Sequence, residues 1–252
     1  MLTDPQEKAA AVHALWKASE SLSCDCSRVF DAPQAPGRPA TPVLVEPGWV
    51  PRRSPFTAAG HAALMHSIAH IEFNAINLAL DAVWRFAGMP EAYYRDWLRV
   101  AAEEAKHFGL LQAHLQTLGH AYGDFTAHDG LWTMCEATKD DLVARMALVP
   151  RTLEARGLDA TPLIQTKLRK VGTPAALAAV AILDTILTEE VGHVAVGNQW
   201  FQWLCERDCV DPLTFYPEAA RRYHAPTLKP PFNTTARKAA GFTAAEIASL
   251  PS

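Results

Sequence analysis

Residues 103–107 read Glu-Glu-Ala-Lys-His, and residues 189–193 read Glu-Glu-Val-Gly-His. A carboxylate three residues before a histidine lies one turn from it on a helix, so an oxygen and an imidazole nitrogen can meet the same metal ion. A lone Glu-x-x-His occurs easily by chance, whereas two copies with doubled acids call for a cause. The faces that carry them sharpen the point. Glu104 shares its face with Trp97, Val100, Ala101, His107, Phe108 and Leu111, and Glu190 shares its own with Leu183, Ile186, Leu187, His193, Val194 and Gly197. Glu72 is similarly set among Met65, Ile68, Ala69, Ala75, Ile76 and Ala79. A carboxylate buried alone on such a stripe costs several kcal/mol or takes up a proton. A metal ion is the compensating charge that all three could share.

The spacing extends the set. Glu72 and Glu104 are 32 residues apart, which brings them to one height in an antiparallel helical hairpin. Glu154 lies 36 residues before Glu190 and completes a second hairpin of the same kind. The expected ligands are therefore Glu72, Glu104, His107, Glu154, Glu190 and His193. One glutamate from each of two helices and Glu-x-x-His from each of two others is the donor set of dinuclear carboxylate centres. Oxygen with imidazole donors suits iron best, or manganese, rather than a thiolate-preferring metal. Glu154 is the weakest member, because its face holds Ala147, Pro150, Arg151 and Gly157, and Pro150 should kink the helix. Glu136, Asp140 and Asp141 are rivals on the same segment, but they lie too far from Glu190 for a matching hairpin. Glu103 and Glu189, rotated about 100° from their neighbours, are either hydrogen-bond partners of the ligands or residues at the boundary of the stripe. His66 and His70 miss the face of Glu72, so packing, or hydrogen bonding to a ligand, suits them better than ligation. His128 sits on a connection and is not expected at the site.

These side chains need helices to hold them. Four long segments with helical periodicity run over roughly 57–87, 91–118, 130–157 and 174–206, separated by breakers, of which 157–173 has room for a short helix. No strand pattern stands out. Before them, Ala9–Leu22 is helical in character and Pro33, Pro36, Pro39, Pro42, Pro47, Pro51 and Pro55 then demand an extended course. After them, Pro212, Pro217, Pro226, Pro230 and Pro231 mark a second extended tail, ending in a short helix opened by the capping box of Thr243 and Glu246. The expected fold is all-α: one domain over 1–252, a four-helix bundle of about 57–206 wrapped by flanks 1–56 and 207–252.

With 252 residues, 49% apolar and 20% charged, the composition is that of a water-soluble globular protein. A net charge of −4 argues mildly against nucleic acid as an obligatory partner. No apolar run is long enough for a membrane span, and the N-terminus has no secretory pattern, so a cytoplasmic location is expected. Cys24, Cys26, Cys135, Cys205 and Cys209 are read as reduced thiols, since their spacing lacks paired Cys-x-x-Cys words.

The stretches HSIAHIEFNAINLALDAVWRF, DWLRVAAEEAKHFGLLQAHL, AHDGLW, LEARGLDATP, EEVGHVAVGNQWFQWLC and PPFNTTARKAAGF resemble the ferritin-like family catalogued as domain of unknown function 455, over about residues 55–240. The resemblance implies a ferritin-like bundle with a two-metal carboxylate site on the six ligand positions above. Glu154-Ala155-Arg156 also looks like the third-helix segment of ferritin-like tRNA hydroxylases. The expected activity is a di-iron (or iron–manganese) oxidoreductase acting with O₂ or peroxide on a small-molecule substrate, served by an external electron donor. The alternatives are metal handling or oxidative-stress protection, as in ferritins and rubrerythrins, and tRNA modification. The last rests on a locally basic tail: Arg221, Arg222, His224, Lys229, Arg237 and Lys238.

Overall fold

The computed structural model describes residues 1–30 and 35–251; Pro33 lies outside them. Among the described residues there is no strand, only an isolated bridge between Leu44 and Ala127, so the fold is all-α. The chain forms two compact units, Met1–Gly130 with Lys167–Ile182 and Leu131–Thr166 with Leu183–Ser252.

In the first unit the helices begin where the sequence supplies caps. Asp4 accepts the Gln6 and Glu7 N–H groups at 2.9 Å, and Pro5 starts α1 (Pro5–Ala18). Thr57 accepts the Gly60 N–H at 3.1 Å and opens α2 (Ala58–Arg85). α3 (Glu91–Thr117) follows after a tight turn in which Gly88 takes φ +81°, a backbone state suited to glycine. The Gly88 N–H donates to the Cys26 carbonyl at 2.6 Å, and the Tyr94 hydroxyl donates to the same carbonyl at 3.1 Å, so the N-terminal flank clasps this turn. Phe73, Ile76, Trp97, Phe108 and Leu111 are buried in the unit, as their periodicity requires. Lys8 reaches in from α1 to the Asn77 amide oxygen at 2.6 Å.

The connection after α3 is tied down by the two histidines without an expected ligand role. The Gly123 N–H donates to His66 Nε2 at 2.9 Å, and the His66 ring stacks on Tyr122. His70 Nδ1 lies 2.9 Å from the Tyr122 hydroxyl, and its Nε2 lies 3.2 Å from the His128 carbonyl. His128 itself accepts the Gly130 N–H at 3.2 Å, which is a turn-building role.

In the second unit the structure departs from the sequence expectation. The segment expected as one helix over 130–157 is broken into α4 (Gly130–Ala137), α5 (Leu142–Leu148) and a π-helical turn, Val149–Glu154. The connection expected to have room for a short helix carries one that fills it, α6 (Ala155–Val171). Asp141 accepts the Ala144 N–H at 2.9 Å and starts α5 afresh. Pro150 has no N–H to give, and the chain answers with the wider turn rather than a simple kink. Pro162 is tolerated inside α6 because the Asn233 side chain donates to the Leu158 carbonyl at 3.2 Å. That carbonyl is the one a proline four residues on cannot serve.

α7 (Pro174–Arg207) matches its expected span. The C-terminal flank is more helical than expected: α8 (Pro212–Arg222), α9 (Thr234–Ala239) and α10 (Ala244–Ala248). Pro212 falls in the first turn of α8, where the missing N–H costs nothing, and Asp211 caps it. The Thr243–Glu246 capping box forms as read. No helix of the described residues is long and apolar enough to cross a membrane.

Burial holds His66 and His70 down to about 4, from an ordinary value of 6.5. A depressed folded-state value means that their contribution to stability is complete above pH 6.5 and is lost as the pH falls through 4. Urea midpoints measured between pH 7 and pH 4 should therefore fall more steeply for the native protein than for His66→Gln; equal slopes would contradict this assignment.

Candidate metal centre

In the first unit, Glu72 on α2 and Glu104 and His107 on α3 meet across the hairpin. His107 Nδ1 lies 3.1 Å from Glu72 Oε2 and 3.5 Å from Glu104 Oε2, and all three side chains are buried. Burial and the neighbouring Glu104 hold the Glu72 carboxyl well above its ordinary range, while its hydrogen bond to His107 pulls the other way. Burial disfavours the His107 imidazolium, yet hydrogen bonds to Glu104 and Glu72 push it up to about 11. The triad thus requires a positive charge at its centre. A protonated imidazole can supply that charge, and ligation of a metal would displace the proton.

In the second unit, His193 Nδ1 lies 3.6 Å from Glu190 Oε1 on α7, with the imidazole fully buried. Glu154 is the last residue of the π-helical turn and is 7% exposed. Glu104 and His107 in the first unit, and Glu190 and His193 in the second, are pairs whose side chains can each offer a metal ion one ligand atom. Glu72 reaches His107 within the first unit, and Glu154 is carried by the π-helical turn of the second. The donors are carboxylate oxygens and imidazole nitrogens without a thiolate, which fits iron or manganese.

The rivals of Glu154 are occupied elsewhere. Glu136 pairs with Lys139 at 2.8 Å near the surface, Asp141 caps α5 and accepts the Tyr223 hydroxyl at 2.8 Å, and Asp140 is exposed. Glu103 pairs with Arg99 at 3.6 Å. All five cysteines are free.

What holds the π-helical turn was not foreseen. Arg151, three residues before Glu154, is almost fully buried; its guanidinium donates to Glu246 and, at 2.6 Å, to the Asn198 amide oxygen. The same group lies over the rings of Phe201 and Phe242 at 4.6 and 4.9 Å. Asn198 in turn donates to the Ala240 carbonyl at 2.6 Å, and Arg237 pairs with Asp159 at 2.6 Å. Gly197 lets α7 approach: a Cβ there would sit 2.5 Å from the Cβ of Pro150. The available signals were faint ones, an arginine on the face of Glu154 and a capping-box glutamate able to face inward.

Removing one partner of a buried ion pair strands the other charge, at about 3–5 kcal/mol. Because Glu246 borders solvent, Glu246→Ala should lower the unfolding free energy by about 3 kcal/mol, near the low end of that range. Arg151→Met combined with Glu246→Ala should be less destabilised than Glu246→Ala alone. Urea unfolding of the two variants checks the order, and a worse double variant would refute a stranded charge.

Comparison with known proteins adds relatives but no named reaction. Residues 1–248 match the family described as protein of unknown function (DUF455). A Haemophilus influenzae protein described as uncharacterized is 51% identical over 216 residues, covering 83% of this chain and 74% of its own. No solved structure matches.

Proposed function

The chain belongs to the DUF455 family, and for it we propose a dinuclear non-haem iron (or iron–manganese) protein built on a ferritin-like four-helix bundle. In this reading α2, α3, α7 and the broken run from α4 to α6 are the bundle's members. The activity is oxidation of a small-molecule substrate with O₂ or peroxide, with electrons from an external donor, in the cytoplasm. One observation carries the reading: each unit contains a buried Glu-x-x-His pair and one further buried glutamate. Chance composition does not bury four carboxylates and two imidazoles at such positions, and the set matches that of dinuclear carboxylate centres.

His107 and His193 would supply the nitrogen donors, and Glu72, Glu104, Glu154 and Glu190 the oxygens. Two bound metals would supply electron storage and Lewis acidity. The chain's own part is to hold these donors at fixed height on packed helices. Val100, Ala101 and Phe108 beside Glu104, and Val194 beside His193, keep bulk water from them. Nucleic-acid modification loses support, because Arg237, one of the basic tail residues, is turned inward onto Asp159.

Anaerobic loading with Fe(II) should give about two irons per chain, and Glu104→Ala with His193→Ala should abolish their retention while circular dichroism stays helical. Protein that retains no metal would overturn the centre. Iron uptake running far beyond two per chain on admission of O₂ would assign storage instead of catalysis.

A further inference from the structure

Away from the carboxylates, the first unit holds a second pair of facing histidines. His61 lies in the first turn of α2 and His114 in the last turn of α3. Their ring centres are 5.6 Å apart with the planes inclined by 50°. Each residue is only 5% exposed. The Nε2 atom of each is shielded from solvent and has no hydrogen-bond partner among the described residues. Buried ring nitrogens are normally bonded, as both nitrogens of His70 are, so two orphans on adjacent rings need an explanation.

The geometry suits a shared ion. With metal–nitrogen bonds of about 2.0 Å, two imidazoles meeting one ion at roughly 120° have ring centres roughly 5 to 6 Å apart. Burial lowers both rings below their ordinary titration range, His61 also through its neighbour His114, which keeps them in the neutral form that binds metal. Met65 stands one turn after His61 on the same face of α2 and is completely buried. Among the described residues no carboxylate pairs with either imidazole, so a divalent cation would sit in the apolar interior without compensation. Two imidazoles with a thioether favour a soft, singly charged metal instead.

We propose that His61, Met65 and His114 form a separate site for one Cu(I) ion. It lies 11 residues along α2 from Glu72, about 16 Å at the helical rise, and does not depend on the carboxylate centre.

Cu(I) supplied anaerobically to the full-length protein, in competition with a chromophoric chelator, tests this. One equivalent should be retained, and its X-ray absorption should show two nitrogen neighbours and one sulfur. Met65→Leu preserves volume and the fold, and should remove the sulfur signal. His61→Gln with His114→Gln should weaken retention by more than about 100-fold. Failure of the native protein to hold Cu(I), retention unchanged in the histidine variant, or a sulfur signal that survives in Met65→Leu would each overturn the site. Loss of Cu(I) in Glu104→Ala with His193→Ala would do so too, since it would assign the copper to the carboxylates. The methionine variant decides the matter even where the histidine variant fails to fold.

Discussion

A carboxylate inside an apolar helix pair cannot stay ionised without a cation beside it. Glu72 and Glu104 face that constraint together, and His107 is placed between them at 3.1 and 3.5 Å. A positive charge there, proton or metal, offsets the burial of the two acids. The second unit repeats the problem with Glu154, Glu190 and His193. The helices that bury these acids are acceptable only because the acids share compensating charge, and the acids are held in place only because the helices are buried.

The flanks act on the same problem from outside. Each bonds to the groups that the long helices leave unsatisfied. Cys26 offers its carbonyl to the turn between α2 and α3, Lys8 caps the Asn77 amide, and Asn233 serves the carbonyl that Pro162 abandons. Arg151 is the most exacting case. It brings a full charge into the interior and has to be matched by a carboxylate from the last helix and by aromatic faces. The C-terminal helices thus belong to the support of Glu154 as much as the helix that bears it.

How much of this was legible follows from the range of the interactions. α2, α3 and α7 repeat their apolar residues every three or four positions, so their spans and the faces of Glu72, Glu104 and Glu190 could be read directly. Spacing set Glu72 level with Glu104, because a tight turn leaves an antiparallel hairpin little freedom of register, and the side chain it reaches is that of His107, one turn on. The run from 130 to 171 departs from its expected course for a physical reason. Pro150, Gly157 and Pro162 signal interruption locally, but their cost is offset by groups distant in sequence. Asn233 lies 75 residues from Leu158, and Glu246 lies 95 from Arg151. No window of local propensity contains such pairs. The same holds for α8, where prolines suggested an extended course, yet one of them sits in the first turn that best accepts it.

The contact of Pro150 with Gly197 has a bearing on descent. A proline ring in the wide turn and a bare backbone on α7 are halves of one steric fit, and neither half is favourable alone. A relative with a side chain at the position of Gly197 has no space for that ring unless α7 moves away. Among relatives the two positions should then covary: glycine wherever the ring is kept, larger residues only where the turn has reverted to ordinary α-helix. The pair would act as a marker inherited as a unit, distinguishing chains that present Glu154 from a π-helical turn from those that present it another way.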